Sequence, residues 1–148
     1  MFGRAGNEPK LLFPGLAGFY ATVSDLWYPI IRITVGACLY AHVWPKLNNG
    51  PAGVAAFLAK AGFVPGYFFA YSAIFLETVG ATCIILGLFT RFFAAGLAIE
   101  MACITFIYMM PQGYMRMEPT LIWGIVFFAI ALRGGGPYSL DRKIGKEL

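Results

Sequence analysis

Three stretches of this chain, 66–88, 92–110 and 119–132, contain only two acidic or basic side chains among them, Glu77 and Glu100. A fourth stretch, 26–44, adds Arg32 and the single histidine, His42. Few folds accept such blocks. Crossing the roughly 30 Å of bilayer hydrocarbon takes about 20 consecutive apolar residues in a helix. Inside lipid the backbone must also satisfy its own N–H and C=O groups. A soluble domain carries about 25% charged residues along its length. Here they make up 12% of 148 residues and gather at the ends of the blocks. The expected fold is therefore all-α, an integral membrane four-helix bundle in one domain.

The first span is expected over 26–44, with Trp27 and Tyr28 at one interface and Trp44 at the other, as in aromatic belts. Pro45, Asn48, Asn49, Gly50 and Pro51 follow and predict the end of that helix. Val54, Phe57, Leu58 and Ala61 recur at i, i+3, i+4 and i+7. This spacing predicts a short amphipathic helix resting on the membrane surface between spans one and two. Spans two and three, 66–88 and 92–110, are separated only by Phe89, Thr90 and Arg91. They must form an antiparallel hairpin closed by a tight structural turn. The fourth span covers 119–132, extended back toward Met115 to gain length. Residues 1–25 read as a tail and a membrane-surface segment, too broken by Pro14 and two glycines to cross. Residues 26–132 form the transmembrane domain, and 133–148 a basic tail.

The basic residues set the expected orientation. Arg4, Lys10, Arg91, Arg133, Arg142, Lys143 and Lys146 fall on the side holding both termini, against Lys46, Lys60 and Arg116 on the other. Lys and Arg are in excess in cytoplasmic loops, so both termini are expected in the cytoplasm. The net charge of +4 does not imply nucleic acid, because the cations form no patch interleaved with aromatics. Cys38, Cys83 and Cys103 lie within the apolar blocks with no C-x-x-C spacing and read as packing thiols. The sequence has no nucleotide-binding loop, Ser–His–Asp arrangement or Cys/His cluster, which excludes the chemistry of soluble enzymes.

Ionisable residues inside spans are costly, at about 2.5–3.5 kcal/mol each near the bilayer centre, and mark function or internal pairing. Glu77 and Glu100 lie about 12 and 10 residues from the hairpin midpoint. At 1.5 Å per residue they are roughly level on adjacent helices, where two ionised carboxylates would repel. Arg32 enters from the hairpin side and is expected to pair with Glu77 or Glu100. A polar pocket of Arg32, Glu77 and Glu100 could receive the head of a lipid-soluble redox molecule, with Phe75, Phe106 and Tyr108 lining its apolar part. An internal salt bridge fixing helix register accounts for the same residues equally well. His42 is expected at the mouth of this pocket with Lys46, or as a hydrogen-bonded interfacial residue. Met109, Met110, Met115 and Met117 form a methionine-rich stretch near the opposite end; thioethers bind Cu(I), but methionine is also an ordinary apolar filler.

Four pieces of the sequence resemble the DoxX family, over Tyr28 to about Arg142. They are Ile31-Arg32-Ile33-Thr34-Val35-Gly36 with a late Pro45-Lys46; Phe57-Leu58-Ala59-Lys60-Ala61-Gly62 leading to Pro65; Glu77-Thr78-Val79-Gly80 continuing to Leu86-Gly87-Leu88-Phe89-Thr90-Arg91; and Arg133-Gly134-Gly135-Gly136-Pro137-Tyr138-Ser139-Leu140-Asp141. Thr78-Val79 depart from the small residues usual after the glutamate. The resemblance implies a four-helix bundle in the bacterial cytoplasmic membrane. It also implies quinone-linked redox chemistry, as in the membrane subunit of thiosulfate:quinone oxidoreductase, or thiol-redox assemblies. The family's recurring Arg, Glu and Thr-Arg positions correspond to Arg32, Glu77 and Thr90–Arg91. The expected function is a DoxX-like subunit in the lipid bilayer, contacting quinone and acting with partner proteins, with no intrinsic cofactor. The alternative is an accessory subunit of a larger respiratory, photosynthetic or oxygenase complex. A transporter is disfavoured because no pair of broken helices stands out.

Overall fold

The computed structural model describes residues 11–147; residues 1–10, including Arg4 and Lys10 of the charge count, and Leu148 lie outside the described residues. Among the described residues every regular element is helical. A 3-10 turn, Pro14–Leu16, leads into α1 (Ala17–Val23), followed by α2 (Trp27–Asn49) and α3 (Pro51–Lys60). Then come α4 (Gly66–Leu86), α5 (Thr90–Gln112), α6 (Tyr114–Arg133) and the short α7 (Leu140–Ile144). Two of the long helices widen to π-helical geometry partway, α4 over Leu76–Gly80 and α5 over Ile104–Met109.

Helices α4, α5 and α6 are each long and apolar enough to cross a membrane. Helix α2 passes the same test only together with the Pro14–Val23 segment, from which it bends by 48°. The chain thus offers three spans, or four when the bent pair counts as one. Large apolar side chains such as Phe68, Ile99, Phe128 and Leu132 point outward, the reverse of a water-facing surface. Pro45 was expected to end the first span. Instead α2 continues through it to Asn49 and stops at Gly50, whose φ of 77° takes the chain out of the helix. A proline removes one backbone bond and bends a helix without necessarily ending it. The extra turn carries Lys46 over the interior.

Contacts between helices run through small residues. The core holds Leu39 of α2, Ile84 of α4, Leu97 of α5, and Phe127 and Ile130 of α6. Gly36 lets α2 approach α4 so closely that an added Cβ would lie 3.1 Å from the Ala81 carbonyl oxygen. Gly66 does the same for α3 on α4: a Cβ there would overlap the Ala55 carbonyl oxygen and stand 3.1 Å from its carbon. These are backbone atoms that cannot move alone. Gly66→Ala is therefore expected to cost about 1–3 kcal/mol, as overpacking does, read as a lower melting temperature in detergent. Gly53→Ala, on the same α3 with nothing within 4 Å, is the control and should be neutral or slightly stabilising.

Candidate functional site

The sequence-predicted site residues fall into two separate groups at different levels of the bundle. At the hairpin end, Gly87 and Phe89 turn the chain with φ of 68° and 47°. The segment 134–147 folds back over this turn. Asp141, fully buried, accepts hydrogen bonds from Phe89 N (2.7 Å), Thr90 N (3.0 Å) and Thr90 Oγ1 (2.7 Å). It thereby caps the start of α5 from a distant part of the chain, where unpaired N–H groups favour a negative charge. Its own N–H donates to Gly87 O. Arg91 donates to the carbonyls of Ala131 and Leu132 at the end of α6 and pairs with Glu147 at 2.9 Å. Thr90 and Arg91 are thus what closes the turn.

Arg32 belongs to this end. Its guanidinium donates to Gly135 O (3.0 Å) and Tyr138 O (2.6 Å), and Tyr28 donates to Gly134 O. The Arg133 guanidinium lies 4.5 Å from the centre of the Tyr28 ring and 5.0 Å from that of Trp27, a cation–π stack. The expected pairing of Arg32 with Glu77 or Glu100 is not made. Backbone carbonyls at Gly135 and Tyr138 take up its two terminal nitrogens instead, while its Nε is buried with no hydrogen-bond partner among the described residues.

Glu77 pairs with Lys46, whose Nζ lies 2.5 and 2.6 Å from its two carboxylate oxygens. Lys46 is 14 residues beyond Arg32 on α2, about 21 Å along the axis. Glu77 sits on the π-helical turn of α4, and such turns re-aim side chains and recur at functional sites. Glu100 lines the same cavity as Lys46, the partner of Glu77. Glu100 Oε2 is buried with no hydrogen-bond partner among the described residues.

Beside this cluster lies a cavity of about 570 Å³. Lys46 and Glu100 contribute to its wall, and the rest is almost wholly apolar: Val54, Phe57 and Leu58 of α3, Ala61 just beyond it, Phe69, Ala73 and Leu76 of α4, and Ile99, Cys103, Ile104 and Tyr108 of α5. The stripe Val54, Phe57, Leu58, Ala61 was expected to rest on the membrane. It roofs this cavity instead, because α3 is clamped to α4 at Gly66. Of the three aromatics expected to line a pocket, only Tyr108 does so; Phe75 and Phe106 are exposed on the outer surface. His42 does not reach the cavity: it is exposed and meets the Trp123 ring edge-on at 5.6 Å. Met109 lines the cavity, Met117 is half-buried, and Met110 and Met115 are exposed on either side of Gly113. Cys38 is exposed rather than buried, Cys83 is partly buried, and Cys103 faces the cavity.

A family model described as DoxX matches residues 28–110. The chain belongs to the DoxX family. No curated protein and no solved structure matches it. Every residue lining the cavity falls within the part of the chain matched as DoxX, as do Arg32, Glu77, Gly87, Thr90 and Arg91. The segment that holds Arg32 and caps the turn, Gly134 to Asp141, lies beyond that match yet packs into the same DoxX domain. The protein is accordingly a DoxX-family membrane protein whose family region carries the polar cluster and the cavity.

Proposed function

We propose that this protein is a membrane subunit that contacts quinone in the cavity beside Glu100 and acts with partner proteins in a redox assembly. The cavity carries the proposal. It has the size of small-molecule pockets and their usual balance, a mostly apolar wall with a few polar groups in one place. In this reading α2, α4, α5 and α6 form a four-helix bundle in a bacterial inner membrane. The charge count then puts the hairpin turn and both termini in the cytoplasm. Bound quinone would supply the redox chemistry. Lys46 and Glu100 would hold and orient its oxygens, and the apolar walls would exclude water from it.

The test is equilibrium binding of decyl-ubiquinone and a short-tailed menaquinone analogue to the purified protein in lipid nanodiscs. Ala73→Phe, which fills the cavity from α4, should weaken binding at least about tenfold, since a displaced ring forfeits more than 1.4 kcal/mol. Unchanged affinity in a folded Ala73→Phe protein would move the site elsewhere. One observation favours the accessory-subunit reading beside this one: Leu12, Phe13, Phe19 and Tyr20 of the N-terminal segment are all exposed. A stoichiometric large complex recovered from native membranes, with no bound quinone, would select that reading.

A further inference from the structure

Resting on the quinone reading of the same cavity, we infer that the ligand is a long-tailed lipid that enters sideways from the bilayer between α3 and α5, and that Phe57 and Tyr108 form the doorway. The two rings meet edge-on, with centroids 4.5 Å apart. Both line the cavity and both are more than a third exposed, so each has one face inside and one outside. The backbones of α3 and α5 make few close approaches, which leaves side chains to close the gap. On its other side α3 packs closely on α4, its Ala55 carbonyl lying directly against Gly66. Opening therefore requires only rotation of exposed side chains, a motion of picoseconds to nanoseconds.

The surroundings of the doorway select what passes through it. Ile99 lines the cavity and is also 66% exposed on the outer face of α5, so the mouth reaches the surface that lipid covers. Lys46 and Glu100 are the two charged side chains in the lining. No donor among the described residues holds Glu100 Oε2, which leaves this carboxyl free to turn toward a ligand head. An amphiphile therefore binds head inward against Lys46 and Glu100. A cavity of about 570 Å³ is sized for a drug-sized ligand, so a longer tail must leave between Phe57 and Tyr108. These two residues then control exchange and tail selection.

The experiment follows binding and release of decyl-ubiquinone by the full chain in phosphatidylcholine nanodiscs. An edge-on aromatic pair holds a door shut by a factor of up to about ten. The Phe57→Ala/Tyr108→Ala variant should therefore speed both association and release by about that factor, whereas a mere loss of wall contact would speed release alone and would overturn the doorway. Phe57→Leu, which keeps an apolar side chain in place, should give a smaller acceleration in the same direction and serves if the double variant is unstable. Tail-free ubiquinone-0 should bind the parent at least about tenfold more weakly, for want of buried apolar area. Binding with unchanged rates in a folded doorway variant, or with no dependence on the tail, would overturn the doorway and leave the cavity reading standing. No binding of any analogue to the parent would overturn both.

Discussion

The Asp141→Ala protein is expected to melt about 10 °C or more below the parent in mild detergent. Three donors, Phe89 N, Thr90 N and Thr90 Oγ1, converge on this carboxylate, which is 1% exposed. Leaving a buried donor without a partner costs about 1–3 kcal/mol, and a charged acceptor is worth more than a neutral one. With water able to reach Phe89, the total comes to about 3–5 kcal/mol, and 1 kcal/mol moves a chain of this size by about 2–4 °C. Asp141→Asn keeps one acceptor oxygen, so it should fall between the two. Removing residues 134–148 should be at least as damaging, because it also strips Arg32 of both carbonyl partners inside the bundle. A melting temperature within about 2 °C of the parent for Asp141→Ala would show that the cap does not hold the turn.

That result bears on where the domain ends. The DoxX match stops at Met110, but Arg32, Gly87 and Thr90 inside it are completed by residues 134–141. An alanine Cβ at Gly87 would overlap Arg32 Nη1 and lie 2.5 Å from Ser139 Cβ. The glycine is thus fixed both by its left-handed backbone and by the segment packed on it. The basic stretch after α6 is a structural strap over the hairpin end, not a loose tail.

Much of this was legible in the sequence. Blocks nearly free of charge predicted four spans; three helices are long and apolar enough to cross, and the first qualifies only together with the bent Pro14–Val23 segment. The three-residue connection gave the hairpin. What escaped was the choice of partner. Arg32 was matched to carboxylates because charge attracts charge, yet backbone carbonyls serve equally well. The signal was present in Arg133-Gly134-Gly135-Gly136, whose missing side chains leave carbonyls accessible at the level where Arg32 enters. The periodicity of 54, 57, 58 and 61 correctly gave an apolar face. Periodicity cannot say whether such a face meets lipid or a cavity, and only the close approach at Gly66 decides it. Pro45 concealed the reach of Lys46, since a proline signal marks a bend as readily as an end.

Lys46→Met should destabilise the protein by about 3 kcal/mol, and most of that loss should return when Glu77→Gln is added. The pair is lopsided: the Lys46 side chain is 29% exposed and that of Glu77 only 4%. Removing the lysine therefore strands the buried partner, and breaking a buried pair from one side costs about 3–5 kcal/mol. The partial exposure of Lys46 places the expected loss at the lower end of that range. Neutralising both members removes the stranded charge, and such double replacements are often close to neutral. Glu100 makes the cycle more informative. It lines the cavity together with Lys46, the partner of Glu77. If both carboxylates are ionised, Glu100→Gln in the Lys46→Met background should also restore part of the stability by removing like-charge repulsion. If Glu100 already holds a proton, it should restore none. A Lys46→Met protein that melts within about 2 °C of the parent would instead make this an exposed-type pair worth at most about 1 kcal/mol. The polar wall of the cavity would then lack the fixed charge that the orientation of a bound head group requires.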